Sequence, residues 1–490
     1  MIAIPRNPCI KFLSRYCKRN SRITILQGEK WNVQLLRLSS TAVLPEKLEP
    51  ERVRRKRKTK TKDSESPQED LLAYFTSEKQ RNTLGSFPRT YFNKKLNTPN
   101  HLYIADETVA RNIADCVAAS SSKDTPILEI NPGCGILTQQ LLRVTSQKIH
   151  LFESVEEFSK NLEKIVSEHL DRVSLKKEDL TALWRIAYQD KLDNGDRVQK
   201  LLDGKLPKRD WTEEPNARIV GAIGSGNFFK HLVNSLVYQS SFLTYGRCEM
   251  FLVVPPPIYI QLTCSKDAGY LLYRYMSVLF QIFFEYEFIQ KVPRKAFLPW
   301  QHDYNHAKHN KLSKVNSIDA DSLYLVRIAP RREAYDLCSP DDMQALWFFV
   351  KQNMISRTNR VIPSLEKWIP YCGLRLISQK VSPMPMRQDG ENPRNGELPE
   401  FVQPCRPISK SDHRQDINIF TQFGDLTPSE MLSLFQQFRN WPEYKQSPFL
   451  SLMENSLIKM FAQDQDATTE DQVGGFVEKP AAAEDDEAER

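Results

Sequence analysis

The residues best placed to do chemistry are two glycines and two acids. In Ile127–Leu142, ILEINPGCGILTQQLL, Gly133 and Gly135 follow an apolar run and precede a helical pattern. Lacking a Cβ, such glycines let the backbone turn tightly and approach a ligand. Glu153 closes the next apolar run, eighteen residues after Gly135, where a carboxylate accepts hydrogen bonds from ribose hydroxyls. Asp179 follows the third run and is placed to face an adenine amine. Solvated acids at strand ends would give the same pattern. No third, phosphate-grasping glycine follows, so the layout suits S-adenosylmethionine at least as well as a dinucleotide.

A second constellation is weaker. His302, His306 and His309 in QHDYNHAKHNK stand at i, i+4 and i+7, a spacing that suits a metal on one helix face. No carboxylate–histidine signature or cysteine accompanies them, and Lys308, Lys311 and Lys314 surround them. An exposed basic loop without metal is the expectation. Nine scattered cysteines without a CxxC pair argue against a zinc ribbon or a disulfide scaffold and for a reducing compartment.

The elements that position the glycines and acids alternate. Ile127–Ile130, Ile149–Glu153, Val173–Leu175, Ile219–Ile223 and Met250–Val254 read as strands. Helical spacing separates them: Leu137, Leu141 and Leu142 in one stretch, Phe158, Leu162 and Ile165 in another. Such alternation predicts an α/β fold with a mostly parallel sheet covered on both faces. A helical pattern with Ile104, Val109, Ile113 and Val117 precedes it, and order is expected from about Tyr91. Residues 181–217 read as a long polar insertion, functional or disordered. The apolar stretch 271–289 carries Arg274, Glu285 and Glu287, so it reads as a core helix running into a strand, not as a membrane span. DSLYLVRIAP (321–330) completes the sheet, and a helical region follows from about 336 to 462, with a Pro/Gly-rich linker at 382–404.

Charge is distributed unevenly along the 490 residues. From Asp464 onward ten acids face two bases, a net of −8, so the net +7 of the whole chain leaves +15 for residues 1–463. A body this basic favours a polyanionic partner, nucleic acid first. The first acid is Glu29, after six Lys/Arg interleaved with apolar residues, as in a mitochondrial transit peptide ending near RLSS at residues 37–40. A basic arm within 41–90, with Arg54, Arg55, Lys56 and Arg57 at its centre, and an acidic tail from 463 are expected to be disordered. Lys208, Arg209, Arg294 and Lys295, with Trp211 and Trp300 nearby in sequence, are candidates for tracking a single strand by charge and stacking.

LYIADETVARNIA, LEINPGCGILTQQLL, HLFESVEEF, KKEDL, IVGAIGS and SFLTYGRCEMFLVV occur in the order and spacing of the ribosomal RNA adenine dimethyltransferase family. The likeness spans roughly residues 90–335. It implies a Rossmann-like S-adenosylmethionine-dependent methyltransferase domain over 91–335 followed by a small C-terminal helical domain. Carried over by position, the family's cofactor contacts fall on Ile104, Asn131, Glu153 and Asp179, with Gly133 and Gly135 shaping the turn. Asn131 stands where active members usually have the loop's first glycine, and its side chain crowds the methionine moiety.

A larger departure lies at the fourth strand, where active members carry Asn-Leu-Pro-Tyr or Asn-Leu-Pro-Phe. An exocyclic adenine amine is a poor nucleophile because its lone pair is delocalised into the ring. The amide and a backbone carbonyl position that lone pair while the aromatic ring stacks on the base. Here the string is Ala222-Ile223-Gly224-Ser225, with Phe228 or Phe229 as the available substitute for stacking. Loss of one positioned polar group commonly costs ~10²–10³ in rate. The expectation is little methyl transfer and a vestigial cofactor site. The resemblance therefore points to a mitochondrial transcription initiation factor that joins a phage-type RNA polymerase and holds melted promoter DNA in the matrix nucleoid. The alternative is a dimethyltransferase acting on adjacent adenines of small-subunit ribosomal RNA. An RNA-binding assembly factor with neither role is a third reading.

Overall fold

The computed structural model describes residues 73–92, 101–120, 125–202, 204–268, 272–300, 318–377, 402–412 and 417–466. The expected leader, the basic arm with Arg54, Arg55, Lys56 and Arg57, the three spaced histidines, most of the 382–404 linker and the tail from 467 lie outside the described residues.

Order begins earlier than Tyr91. Helix α1 (Glu78–Gly85) is polar along its length, which hid it in the sequence. Long-range contacts hold the segment: Phe75, Leu84 and Phe87 are buried, and the Phe75 ring stacks on Trp300 with centroids 6.0 Å apart. The next helix starts later than its periodicity suggests. Residues Tyr103–Ile104 form strand β1, and α2 (Glu107–Ala119) begins only where the Asp106 carboxylate accepts from the Thr108 and Val109 amides at 2.7 and 3.3 Å.

The expected alternation follows: β2 (Ile127–Ile130), α3 (Ile136–Val144), β3 (Ile149–Phe152), α4 (Ser159–Glu168) and β4 (Val173–Lys176). The stretch after β4 corrects the reading of a loose polar loop. It folds as α5 (Leu183–Asp193) and α6 (Arg197–Leu202), which bury Leu183, Ala187, Val198 and Leu202. These apolar residues are sparse and set among charges, so their periodicity is weak. Next come β5 (Ala217–Ala222), α7 (Asn227–Val237), β6 (Cys248–Val254), α8 (Pro256–Thr263) and α9 (Tyr275–Phe283), which runs directly into β7 (Phe284–Pro293) as its sequence implied. A short β8 (Phe297–Leu298) pairs with β1, and β9 (Ser322–Pro330) ends the set.

The main sheet has the order β4-β3-β2-β5-β6-β9-β7. Its first five strands are parallel, and β9 slots antiparallel between β6 and β7. Strand residues alternate between two buried cores, Leu128, Ile130, Ile219 and Met250 on one face and Ile127, Ile149, Val220 and Phe251 on the other. The helices α10 (Ala334–Leu337), α11 (Met343–Asn353), α12 (Val361–Glu366), α13 (Gly373–Ile377), α14 (Pro428–Asn440) and α15 (Phe449–Asp466) complete the chain, the last passing the expected end at 462. They share the first of those cores. Phe349 sits among Trp368, Phe423, Phe435, Phe438 and Phe449, with ring centroids 5.5 to 6.4 Å apart. Among the described residues no helix is long and apolar enough to cross a membrane.

Toward the amino ends of β5 and β6, charge is buried and paired. The Glu249 carboxylate accepts from Arg218 at 3.3 Å, from Ser120 at 2.8 Å and from Arg327. Arg247 donates to the carbonyls of Trp211, Glu213 and Pro330 at 2.7, 2.8 and 3.3 Å. The string Tyr-Gly-Arg-x-Glu (245–249) is thus a structural brace.

Candidate functional site

The strand order reverses between β2 and β5, so a crevice opens at their carboxyl ends, where ligands bind in sheets of this kind. Four pieces of backbone meet there. The first is the turn after β2, whose Gly133 and Gly135 have φ of +57° and +77°. A Cβ on Gly133 would meet the Tyr103 ring at 2.8 Å, and one on Gly135 would meet Ile165 at 2.3 Å. Both glycines are required by close approach as well as by conformation.

Glu153 leaves the tip of β3 and is buried. Its carboxylate accepts from the Gly133 amide at 3.1 Å and the Val155 amide at 2.9 Å. Burial raises its pKa above the usual carboxylate range, although the two amide hydrogen bonds oppose the shift. The Tyr103 hydroxyl also donates to Oε1, at 3.5 Å, so Oε2 is the oxygen that keeps a second lone pair for a ligand hydroxyl. Asp179, after β4, uses Oδ1 to cap the following turn through the Thr181 amide and hydroxyl at 2.8 and 2.6 Å, leaving Oδ2 toward the crevice.

Asn131 lies in the first piece, the turn after β2, at φ +53° in the left-handed region that Asn tolerates better than most residues. Its amide nitrogen donates to the Ala222 carbonyl at 3.2 Å, tying the β2 turn to the fourth-strand string. The fourth piece crosses the strand ends. His101 pairs in backbone with Ile223, and Ile104 is buried opposite Phe297. His101 Nδ1 lies 2.9 Å from Asn131 Oδ1, and Nε2 lies 3.5 Å from Asp179 Oδ2. Neither His101 nor Tyr103, whose ring supports Gly133, stood out in the sequence. Glu129 did leave a signal, as the one acid inside the run ILEI. It is fully buried; Thr138 donates to its Oε2 at 2.8 Å, while Oε1 has no partner. Burial pushes its pKa up to about 8, with the nearby Glu153 adding to the shift and Thr138 opposing it.

The string Ala222-Ile223-Gly224-Ser225 ends β5 with no side-chain amide or aromatic ring. Ala222, Ile223 and Gly224 are buried, and Ser225 accepts from the Asn227 amide at 3.3 Å. Phe228 and Phe229 do not substitute as a stacking surface. Both are buried on α7, edge-on to each other, and Phe229 packs on Phe280. An apolar helix face turns them into the core.

The basic candidates divide. Lys208 and Lys295 are exposed. Arg209 donates to the Pro215 carbonyl at 2.8 Å, and Arg294 to those of Phe297 and Pro299, both at 2.7 Å, so their guanidinium groups brace loops. Trp300 is buried on Phe75, and Trp211 donates to the Arg331 carbonyl at 3.1 Å and packs on Tyr335. Neither tryptophan is an open stacking platform. No group of three His, Cys, Asp or Glu gathers to hold a metal among the described residues.

A sheet of this order, with carboxylates at successive strand tips beside a glycine turn, defines the Rossmann-like S-adenosylmethionine-dependent methyltransferase fold. The chain belongs to the ribosomal RNA adenine dimethylase family, which it matches over residues 92–383. It is 45% identical to dimethyladenosine transferase 2, mitochondrial, of Drosophila melanogaster, across 79% of this chain and 87% of that protein. The Mus musculus protein of the same name is 24% identical across 67% of this chain and 81% of its own length. A solved dimethyladenosine transferase from Plasmodium falciparum is 13% identical, covering 69% of this chain and 97% of that one at a TM-score of 0.39. The fold assignment rests on the strand order and the family match. S-adenosylmethionine is the cofactor of this class. The two left-handed glycines, packed too closely for any Cβ, and the inward Glu153 and Asp179 oxygens fit its adenosyl half.

Proposed function

We propose that this chain works in mitochondria as a transcription initiation factor, a transcription factor B, that assists the organelle RNA polymerase by capturing melted promoter DNA. The carrying observation is the transfer end of the site. Ala222-Ile223-Gly224-Ser225 offers no amide, no proline and no aromatic ring, and Phe228 and Phe229 are buried elsewhere. The string itself offers a base no ring to stack on and no side-chain amide to orient its amine; the Asn131 amide beside it is engaged by Ala222 and His101. The basic body and the likeness to a mitochondrial relative support a nucleic-acid partner in that organelle. Unstacking costs a few kcal/mol per base step. A basic surface beside the crevice that holds the exposed strand would offset this cost and stabilise the open complex, with no group transfer. Lys295 and, from outside the described residues, Arg54, Arg55, Lys56 and Arg57 are the proposed phosphate contacts; Lys208, beside Arg209 toward the amino ends of β5 and β6, lies at the other end of the sheet from the crevice.

Run-off transcription from a linear mitochondrial promoter, with the organelle polymerase and with or without this protein, tests the reading. Initiation is expected to depend on the protein; equal initiation in both reactions rejects it.

The second reading is dimethylation of adjacent adenines in small-subunit ribosomal RNA. It is favoured by the retained Glu153 and Asp179, which would hold the adenosyl group while the cofactor supplied the methyl. The names of the relatives, both dimethyladenosine transferases, favour it as well. Radiolabelled methyl transfer to the ribosomal hairpin decides between the two, and the expected result is turnover at or near background.

A further inference from the structure

The crevice contains a bridge made by the chain itself. His101 is brought over the strand ends by its backbone pairing with Ile223 and by the neighbouring β1–β8 pair. Its ring then spans from Asn131 Oδ1, at 2.9 Å, to Asp179 Oδ2, at 3.5 Å. Both neighbours are acceptors, so a ring protonated on both nitrogens donates to each. Asn131 is fixed in turn by its bond to the Ala222 carbonyl. The bridge therefore joins the turn after β2, the end of β4 and the fourth-strand string. Asp179 Oδ2 is the acceptor assigned to the adenine amine, and the bridge uses it.

We propose that His101 is a latch across the cofactor pocket, which S-adenosylmethionine must displace before its adenine reaches Asp179. Binding then pays for opening the bridge, and the affinity of the unmodified chain is correspondingly low. The proposal rests on the adenine placement described above but not on the use to which the pocket is put. It stands whether the chain methylates RNA or only holds DNA.

Two substitutions open the latch from opposite ends. His101→Ala removes the ring, and Asn131→Gly removes its anchor while relieving a left-handed φ. Titration calorimetry of the full chain with S-adenosylmethionine reads the effect, and thermal melts check that each variant is folded. Each single variant is expected to bind about tenfold tighter or more, the scale of one hydrogen bond to a charged group. Because both act on one bridge, the double variant should bind within about twofold of the better single one. Independent crowding would instead make the two gains multiply. Equal or weaker binding by a folded His101→Ala variant overturns the proposal, and so do multiplying gains. If His101→Ala does not fold, His101→Ser, too short to reach from Asn131 to Asp179, takes its place with the same outcomes. None of these outcomes depends on transcription or methyl transfer.

Discussion

Toward the amino ends of β5 and β6, the buried Glu249 carboxylate accepts from both Arg218 and Arg327, although Arg218 Nη1 has no partner. At the carboxyl ends of β2 and β3, two equally buried acids are held by neutral hydrogen-bond donors. Glu129 has an unbonded oxygen, Glu153 accepts from two backbone amides and the Tyr103 hydroxyl, and Asn131 beside them holds a left-handed φ. The same sheet thus pairs charge with charge at one end and leaves buried carboxyls with raised pKa values at the other. The braced end supplies stability that tolerates the left-handed Asn131 and the unbonded Glu129 oxygen beside the ligand crevice.

Four measurements test this contrast. The largest effect is expected at the braced end. Glu249→Ala leaves Arg218 buried without its partner and should destabilise the fold by about 3–5 kcal/mol in urea unfolding. A loss under about 1 kcal/mol would show that the brace contributes little.

Glu129 tests the opposite end. Its carboxyl titrates near 4.5 when unfolded and about 8 when folded, so between those values the folded state holds a proton that the unfolded state has released. Stability therefore falls as pH rises from about 4.5 to about 8 and levels off above it. Glu129→Gln abolishes this component and should raise stability at pH 8 by on the order of a few kcal/mol, leaving a smaller slope of the same sign from Glu153. Parallel pH profiles for the two proteins would contradict it.

Gly135→Ala forces a Cβ into a left-handed turn against Ile165, and about 2 kcal/mol of lost stability is expected in the same assay. The smallest change is Asn131→Gly, which exchanges one hydrogen bond for relief of φ and should stay within about 1 kcal/mol. A loss near that of Gly135→Ala would place Asn131 among the supports of the fold.

The sheet is legible because its strands are short, mostly apolar runs between helical patterns, and Glu153 and Asp179 are legible because they stand where those runs end. The bridge is not, because His101 meets Asn131 and Asp179 only after segments 30 and 78 residues apart in the chain converge. Phe228 and Phe229 turn inward, not toward a base; the tripeptide Asn227-Phe228-Phe229 after a turn does not reveal which helix face is buried. Trp300 was misjudged because its cover, Phe75, comes from the polar segment taken to be disordered. In each case a pairwise contact between distant segments decided the outcome, and no local pattern encodes one. The replaced string at Ala222 was visible from the outset; the absence of any stand-in for it required coordinates.

The place of β9 in the sheet has a consequence for synthesis. As the chain grows, β6 is complete by Val254, yet its free edge has no neighbour until Ser322–Pro330 emerges to lie between it and β7. For some seventy residues of elongation the nascent sheet carries an open, apolar border of the kind that recruits other strands. The helices from Ala334 onward, which share the core on one face, reach their docking surface only after that border is closed. Truncations before Pro330 thus yield an aggregating half-sheet and not a smaller working domain.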